Sequence, residues 1–125
     1  MVMGDKWEVA ALSDENRLPY GELKAELDGI AAAIAALLPG ARVILFGSYA
    51  RGEQRKWSDL DLCVIADSYP MRLIDMMNVI FRAVSDKTKL PIDLLLFHRE
   101  NFERRSKLKP TIEYAIAKEG VVLNG

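Results

Sequence analysis

Asp59 and Asp61 open a stretch that is otherwise apolar, with Leu60, Leu62, Cys63, Val64 and Ile65 around and after them, and no other feature restricts the fold as much. In an extended strand side chains alternate, so carboxylates spaced i, i+2 leave one face while Leu60, Leu62 and Val64 occupy the other. Two charges at the start of a buried strand are costly unless a cation or a function requires them. Side by side, their oxygens repel unless a cation sits between them, and hard oxygen donors favour Mg²⁺.

About a dozen residues upstream lies Gly47-Ser48-Tyr49-Ala50-Arg51-Gly52. Gly47 lets the backbone turn sharply at a strand end and approach a ligand closely. Ser48 is a natural N-cap whose hydroxyl can serve a helix end or a phosphate oxygen. The segment after it would aim backbone N–H groups at an anion, and Arg51 can add a charge-assisted contact to the same group. A third carboxylate, Asp93, stands near the start of another apolar strand, Pro91 to Phe97. If the two strands are neighbours, Asp59, Asp61 and Asp93 converge. Three carboxylates can hold two Mg²⁺ ions, and Asp93 can serve as general base for an attacking hydroxyl. A phosphate-binding turn beside such a site suits phosphoryl or nucleotidyl transfer from a nucleoside triphosphate.

The rest of the pattern supplies a scaffold. Leu23, Leu27, Ile30, Ile34 and Leu37 form a helical stripe from about Tyr20, stopped by Pro39-Gly40. Residues 41–46 read as a strand, 60–65 as a second, and 92–97 as a third. Leu73, Met76, Met77, Ile80 and Val84 mark another amphipathic helix. Helices are expected from Arg99 to Lys107 and from Pro110, where proline starts the helix, to Glu119, where Gly120 ends it. Val121-Val122-Leu123 reads as an edge strand or a docking tail. This order predicts an α/β (α+β) fold, a small mixed β-sheet flanked by helices. Residues 1–18 are expected to be an N-terminal extension and 19–125 a single domain, since 125 residues suffice for one core.

Composition narrows the function. A net charge of −1 from 17 Lys/Arg and 18 Asp/Glu provides no overall basic field, which argues against a nucleic-acid substrate. A single cysteine, Cys63, allows no intrachain disulfide. With no signal-like or membrane-length apolar run, the expected location is cytoplasmic, away from a membrane.

The Gly-Ser-x-Ala-Arg-Gly turn, the Ser58-Asp59-Leu60-Asp61-Leu62 strand and the later Asp93 resemble the DNA polymerase β-type nucleotidyltransferase superfamily. The small size resembles its minimal nucleotidyltransferases. The likeness runs from about Val43 to Phe97, and Glu119-Gly120-Val121-Val122-Leu123 is also similar to that group's C-terminus. It implies a polymerase β-like nucleotidyltransferase fold in which Gly47 and Ser48 hold the β/γ-phosphates. Asp59 and Asp61 would ligate both metals, and Asp93 would complete the catalytic metal site. Arg51 matches the motif, with a less uniform role in the family. The implied reaction moves a nucleoside monophosphate, AMP from ATP first, to an acceptor hydroxyl with release of pyrophosphate.

The resemblance also implies a partner: a small helical HEPN-type protein in a toxin–antitoxin pair, modified on a tyrosine, or else a second copy of this chain. The N-terminal helix and Val121–Leu123 are the candidate contact surfaces. Rival readings are a non-catalytic binding antitoxin and an aminoglycoside-type adenylyltransferase; the latter would want an acidic acceptor pocket, for which so short a chain leaves little protein. Other residues receive structural readings. Cys63, Met76 and Met77 are expected in the core, His98 in a loop, and Tyr49 lining the site without acting. The segment from Arg99 to Lys109 mixes both charges and reads as a solvated helix face. Trp57 suits stacking on a base and covering a sheet edge equally well.

Overall fold

In the computed structural model residues 23–55 and 58–124 are described. The extension expected over residues 1–18 and its boundary, the helix start at Tyr20, and Trp57 lie outside them. The elements run α1 (Lys24–Leu37), β1 (Arg42–Phe46), α2 (Gly47–Arg51), β2 (Leu60–Ala66), α3 (Leu73–Val84), β3 (Ile92–His98), α4 (Arg99–Arg105), α5 (Ile112–Glu119) and β4 (Val121–Val122). They build a four-stranded sheet in the order β3-β2-β1-β4. β1 is antiparallel to both β2 and β4, whereas β2 and β3, joined through α3, are parallel. The expected mixed sheet is therefore present.

Helices cover both faces. On one, Leu27, Ile30 and Ile34 of α1 and Met76, Ile80 and Val84 of α3 pack with Val43, Leu45, Leu60, Leu62, Val64, Leu94 and Leu96. On the other, Phe102 of α4 and Ile116 and Ala117 of α5 pack with Ile44, Cys63, Ile65 and Val122. Burying each large aliphatic is worth about 1.5–3 kcal/mol, and α1 and α3 lack any side-chain N-cap. Packing of the apolar stripe, rather than capping, holds these two helices.

Several sequence expectations change. α5 begins after Thr111, not at Pro110, because the Thr111 hydroxyl accepts the Tyr114 N–H at 3.1 Å and satisfies the first turn. Ser48 does not cap α2: Phe46 occupies that position and Ser48 lies inside the helix. His98 is no loop residue but the last of β3, its ring stacked on Tyr69 with centroids 4.7 Å apart. The two candidate contact surfaces are largely spent on the fold itself. The stripe of α1 is buried against the sheet, though Leu37 remains exposed, and Val121 and Val122 pair as an edge strand with β1. Asn124 secures that edge, accepting the Val43 N–H at 2.8 Å and donating to the Ala41 carbonyl at 2.6 Å. Large apolar side chains left in solvent include Met71, Leu73, Ile74 and Phe81, on or beside α3. Among the described residues no helix is long and apolar enough to cross a membrane.

Candidate active site

β2 and β3 bring two of the three aspartates together. Their parallel register pairs Asp61 with Asp93, and neighbouring strands lie only about 4.8 Å apart. Both side chains leave the face that carries Cys63, Ile65, Leu95 and Phe97, covered by α4 and α5. The Leu60 N–H donates to the Pro91 carbonyl at 2.8 Å, fixing the two strand starts together. Asp59 precedes the strand and is exposed. Ser58 beside it exchanges two hydrogen bonds with Arg55, Ser58 N–H to the Arg55 carbonyl at 3.0 Å and Arg55 N–H to Ser58 Oγ at 2.8 Å.

The turn after β1 closes over this pair. Phe46 is the register partner of Asp61, so Gly47 arrives directly beside the carboxylate. Its φ of +76° lies in the left-handed region, and a Cβ there would come within 2.0 Å of Asp61 Oδ2. Glycine is thus demanded twice, by backbone conformation and by the approach of Asp61. α2 follows immediately, and Gly52 closes it in the left-handed conformation.

Electrostatically the site is short of positive charge. The Asp61 carboxyl is pushed from 3.8 up to about 6, first by burial, then by the charges of Asp93 and Asp59, with a hydrogen bond to Asp93 adding to the rise. Arg51 opposes this. Its guanidinium is nevertheless engaged by protein carboxylates, Nε with Glu53 Oε1 at 2.9 Å and Nη1 with Glu119 Oε2 at 3.2 Å, and both favour its charged form.

Sequence reasoning gave Glu53 and Glu119 no role; the second pairing spans 68 positions and carries no local signal. It also missed Glu113, buried on α5, which accepts from Arg105 Nε at 2.7 Å and leaves Oε1 without a partner among the described residues. Cys63 is fully buried, and burial together with the charge of Glu113 pushes its thiol up, consistent with core packing. Tyr49 is also buried, packed in the layer beneath α1 and α3.

A groove of about 840 Å³ lies elsewhere, lined by Leu23, Glu26, Tyr49, Gln54 and Arg55 and by the 86–90 segment. None of the three aspartates lines it. It shows that even this short chain builds a pocket, but Arg55, Lys87 and Lys89 outnumber Glu26 and Asp86 there.

Comparison with known proteins fixes the family. The sequence profile of the nucleotidyltransferase domain matches residues 27–123. The chain belongs to that family. A Methanocaldococcus jannaschii protein named Putative protein adenylyltransferase is 55% identical over 38 residues, 30% of this chain and 26% of the relative. The match thus spans about a quarter of that relative's length. Among solved structures, a toxin–antitoxin crystallised with AMP-PNP aligns with a TM-score of 0.58 at 21% identity, over 79% of this chain and 73% of that one. A protein of Sulfolobus solfataricus, crystallised as a putative nucleotidyltransferase, aligns with a TM-score of 0.54 at 19% identity, over 88% and 86%. These two show that the nucleotidyltransferase domain has the fold expected for it.

Proposed function

We propose that this nucleotidyltransferase domain transfers a nucleoside monophosphate, AMP from ATP in the first instance, to an acceptor hydroxyl. The observation that carries the reading is the Gly47 turn pressed onto Asp61, itself in register with Asp93. Backbone N–H groups at the turn, with Ser48, are suited to the β/γ-phosphates. The acceptor oxygen attacks the α-phosphorus, the bond to the bridging oxygen breaks, and pyrophosphate leaves with that electron pair. Asp93 takes the hydroxyl proton.

The donor set fits Mg²⁺. Asp59, Asp61 and Asp93 are hard oxygen ligands, and the charges of Asp93 and Asp59 add to burial in disfavouring an ionised Asp61 without a cation. Among the described residues no three acidic, imidazole or thiol side chains stand at ligating spacing. The Asp61–Asp93 pair would therefore hold a cation first, with Asp59 recruited from solvent. When bound, Mg²⁺ neutralises triphosphate charge and acidifies the attacking hydroxyl.

A protein hydroxyl is the acceptor class favoured by the name of the Methanocaldococcus jannaschii relative. The neighbour crystallised as a toxin–antitoxin with AMP-PNP supports an adenine nucleotide as donor and a partner protein; modification of that partner, on a tyrosine of a HEPN-type helical protein, is the specific form the motif resemblance suggests. Calorimetric titration of ATP with and without Mg²⁺ tests the reading. Wild type is expected to bind ATP only with Mg²⁺, and Asp59→Asn/Asp61→Asn to lose binding; metal-independent binding that survives in the double variant would refute the carboxylate site.

A further inference from the structure

Arg51 is gripped by carboxylates from two different parts of the fold, and the backbone carrying each is itself anchored. The Gly52 N–H bonds the Tyr49 carbonyl and the Glu53 N–H bonds the Ser48 carbonyl at 2.9 Å, so Glu53 leaves from the closing turn of α2. Glu119 ends α5, where Gly120 follows so tightly that a Cβ would lie 2.5 Å from Ile44 Cγ2 and from the Ile116 carbonyl. β4 begins at once and pairs with β1, the strand that delivers Gly47. The backbone at Glu119 is therefore anchored relative to the turn.

Surface ion pairs of this exposure contribute little to folding stability, with Arg51 and Glu119 both about 40% exposed. Stability is then a poor account of a pairing that spans α2 and α5 beside the carboxylates. The hydrogen bonding suggests another. A guanidinium has five N–H donors; Glu53 engages Nε and Glu119 engages Nη1. Among the described residues no protein acceptor takes the Nη2 amine. An arginine already immobilised loses less rotamer freedom when it meets an anion.

We propose that Glu119 is a positioning residue, holding the Arg51 guanidinium at the rim of the carboxylate site so that its Nη2 amine is ready for a triphosphate oxygen. This rests on the nucleotide-binding reading above and deepens it: the Glu53–Arg51–Glu119 clamp selects a triphosphate over a monophosphate. Loss of Glu119 would leave Arg51 tethered to Glu53 alone, free to swing away.

The test is calorimetric titration of ATP and of AMP, each with Mg²⁺, into wild type, Glu119→Ala, Arg51→Gln and the double variant, with thermal unfolding recorded for each. Glu119→Ala and Arg51→Gln are each expected to weaken ATP roughly tenfold while changing AMP less than about twofold. The double variant should bind ATP no worse than Arg51→Gln alone, since both changes remove one device. Glu119→Gln, which keeps an acceptor, should recover part of the loss. Wild-type ATP affinity in Glu119→Ala, an equal loss for AMP, or losses that add in the double variant would each overturn the inference while leaving the nucleotide site standing. Absence of ATP binding in the wild type would overturn both.

Discussion

Asp61→Asn is expected to make the nucleotide-free protein more stable at neutral pH while abolishing its binding of Mg–ATP. The Asp61 carboxyl is displaced from 3.8 to about 6 by burial and by the charges of Asp93 and Asp59. At about 1.4 kcal/mol per tenfold, such a displacement corresponds to roughly 3 kcal/mol against the ionised form. The carboxyl is only half-buried, and solvent screening removes at least half of this, leaving ~1 kcal/mol. The sign follows from linkage. The folded protein holds this proton more tightly than the unfolded chain, so the group's favourable contribution is complete below about pH 3.8 and is lost as pH rises through about 6. Asparagine, nearly isosteric, escapes that loss. Thermal unfolding in EDTA should show the variant melting roughly 3–5 °C above wild type at pH 7.5 and close to it at pH 4. Added salt should narrow the pH 7.5 gap by screening the repulsion from Asp59 and Asp93. A lower midpoint at pH 7.5, or the same gap at both pH values, would refute the argument that burial and neighbouring charge disfavour the ionised Asp61.

Gly47→Ala should lower stability by at least ~2 kcal/mol, since alanine resists the left-handed conformation and its Cβ would collide with Asp61 Oδ2; urea unfolding measures the loss, and ATP titration should show binding gone as well. Two adjacent residues of α3 should part company: Ile80→Ala, at a fully buried position, costs about 2–5 kcal/mol, whereas Phe81→Ala, at an exposed one, costs less than about 0.5 kcal/mol in the same urea assay.

Much of the scaffold was legible because apolar periodicity reports which face of an element is hidden. It placed α3 and the three longer strands within a residue or two, the buried stripe and the end of α1, and the carboxylates at the strand starts. Asp93 could be matched with Asp61 once the two strands were taken as neighbours, and their register confirms the pairing in space. Periodicity does not report what hides a face. The stripe of α1 and the Val121–Val122 segment suited a partner protein as well as the chain's own sheet, and the sheet took both. Pro110 suggested the start of α5, but the Thr111 hydroxyl sets it, since a side chain that accepts an N–H does more for a first turn than a fixed φ. The clamp on Arg51 was beyond reach for a different reason: Glu119 meets it only after the sheet has closed.

The geometry of the site depends on packing some distance from it. Side chains alternate along β3, so sliding it by one residue would send Asp93 toward the Leu94–Leu96 layer and turn those leucines toward Phe102. That slip is opposed on both sides, because Leu94 and Leu96 are buried under α3 and α1 while Leu95 and Phe97 pack against the α4–α5 layer. Only at Asp93, near the exposed strand start, does the alternation present a charge. A sheet covered on both faces therefore does more than stabilise the chain: it fixes the one register in which Asp61 and Asp93 stand together. Keeping Asp61 ionised there, half-buried and beside Asp93, costs stability, and the core on either side is what makes that cost bearable.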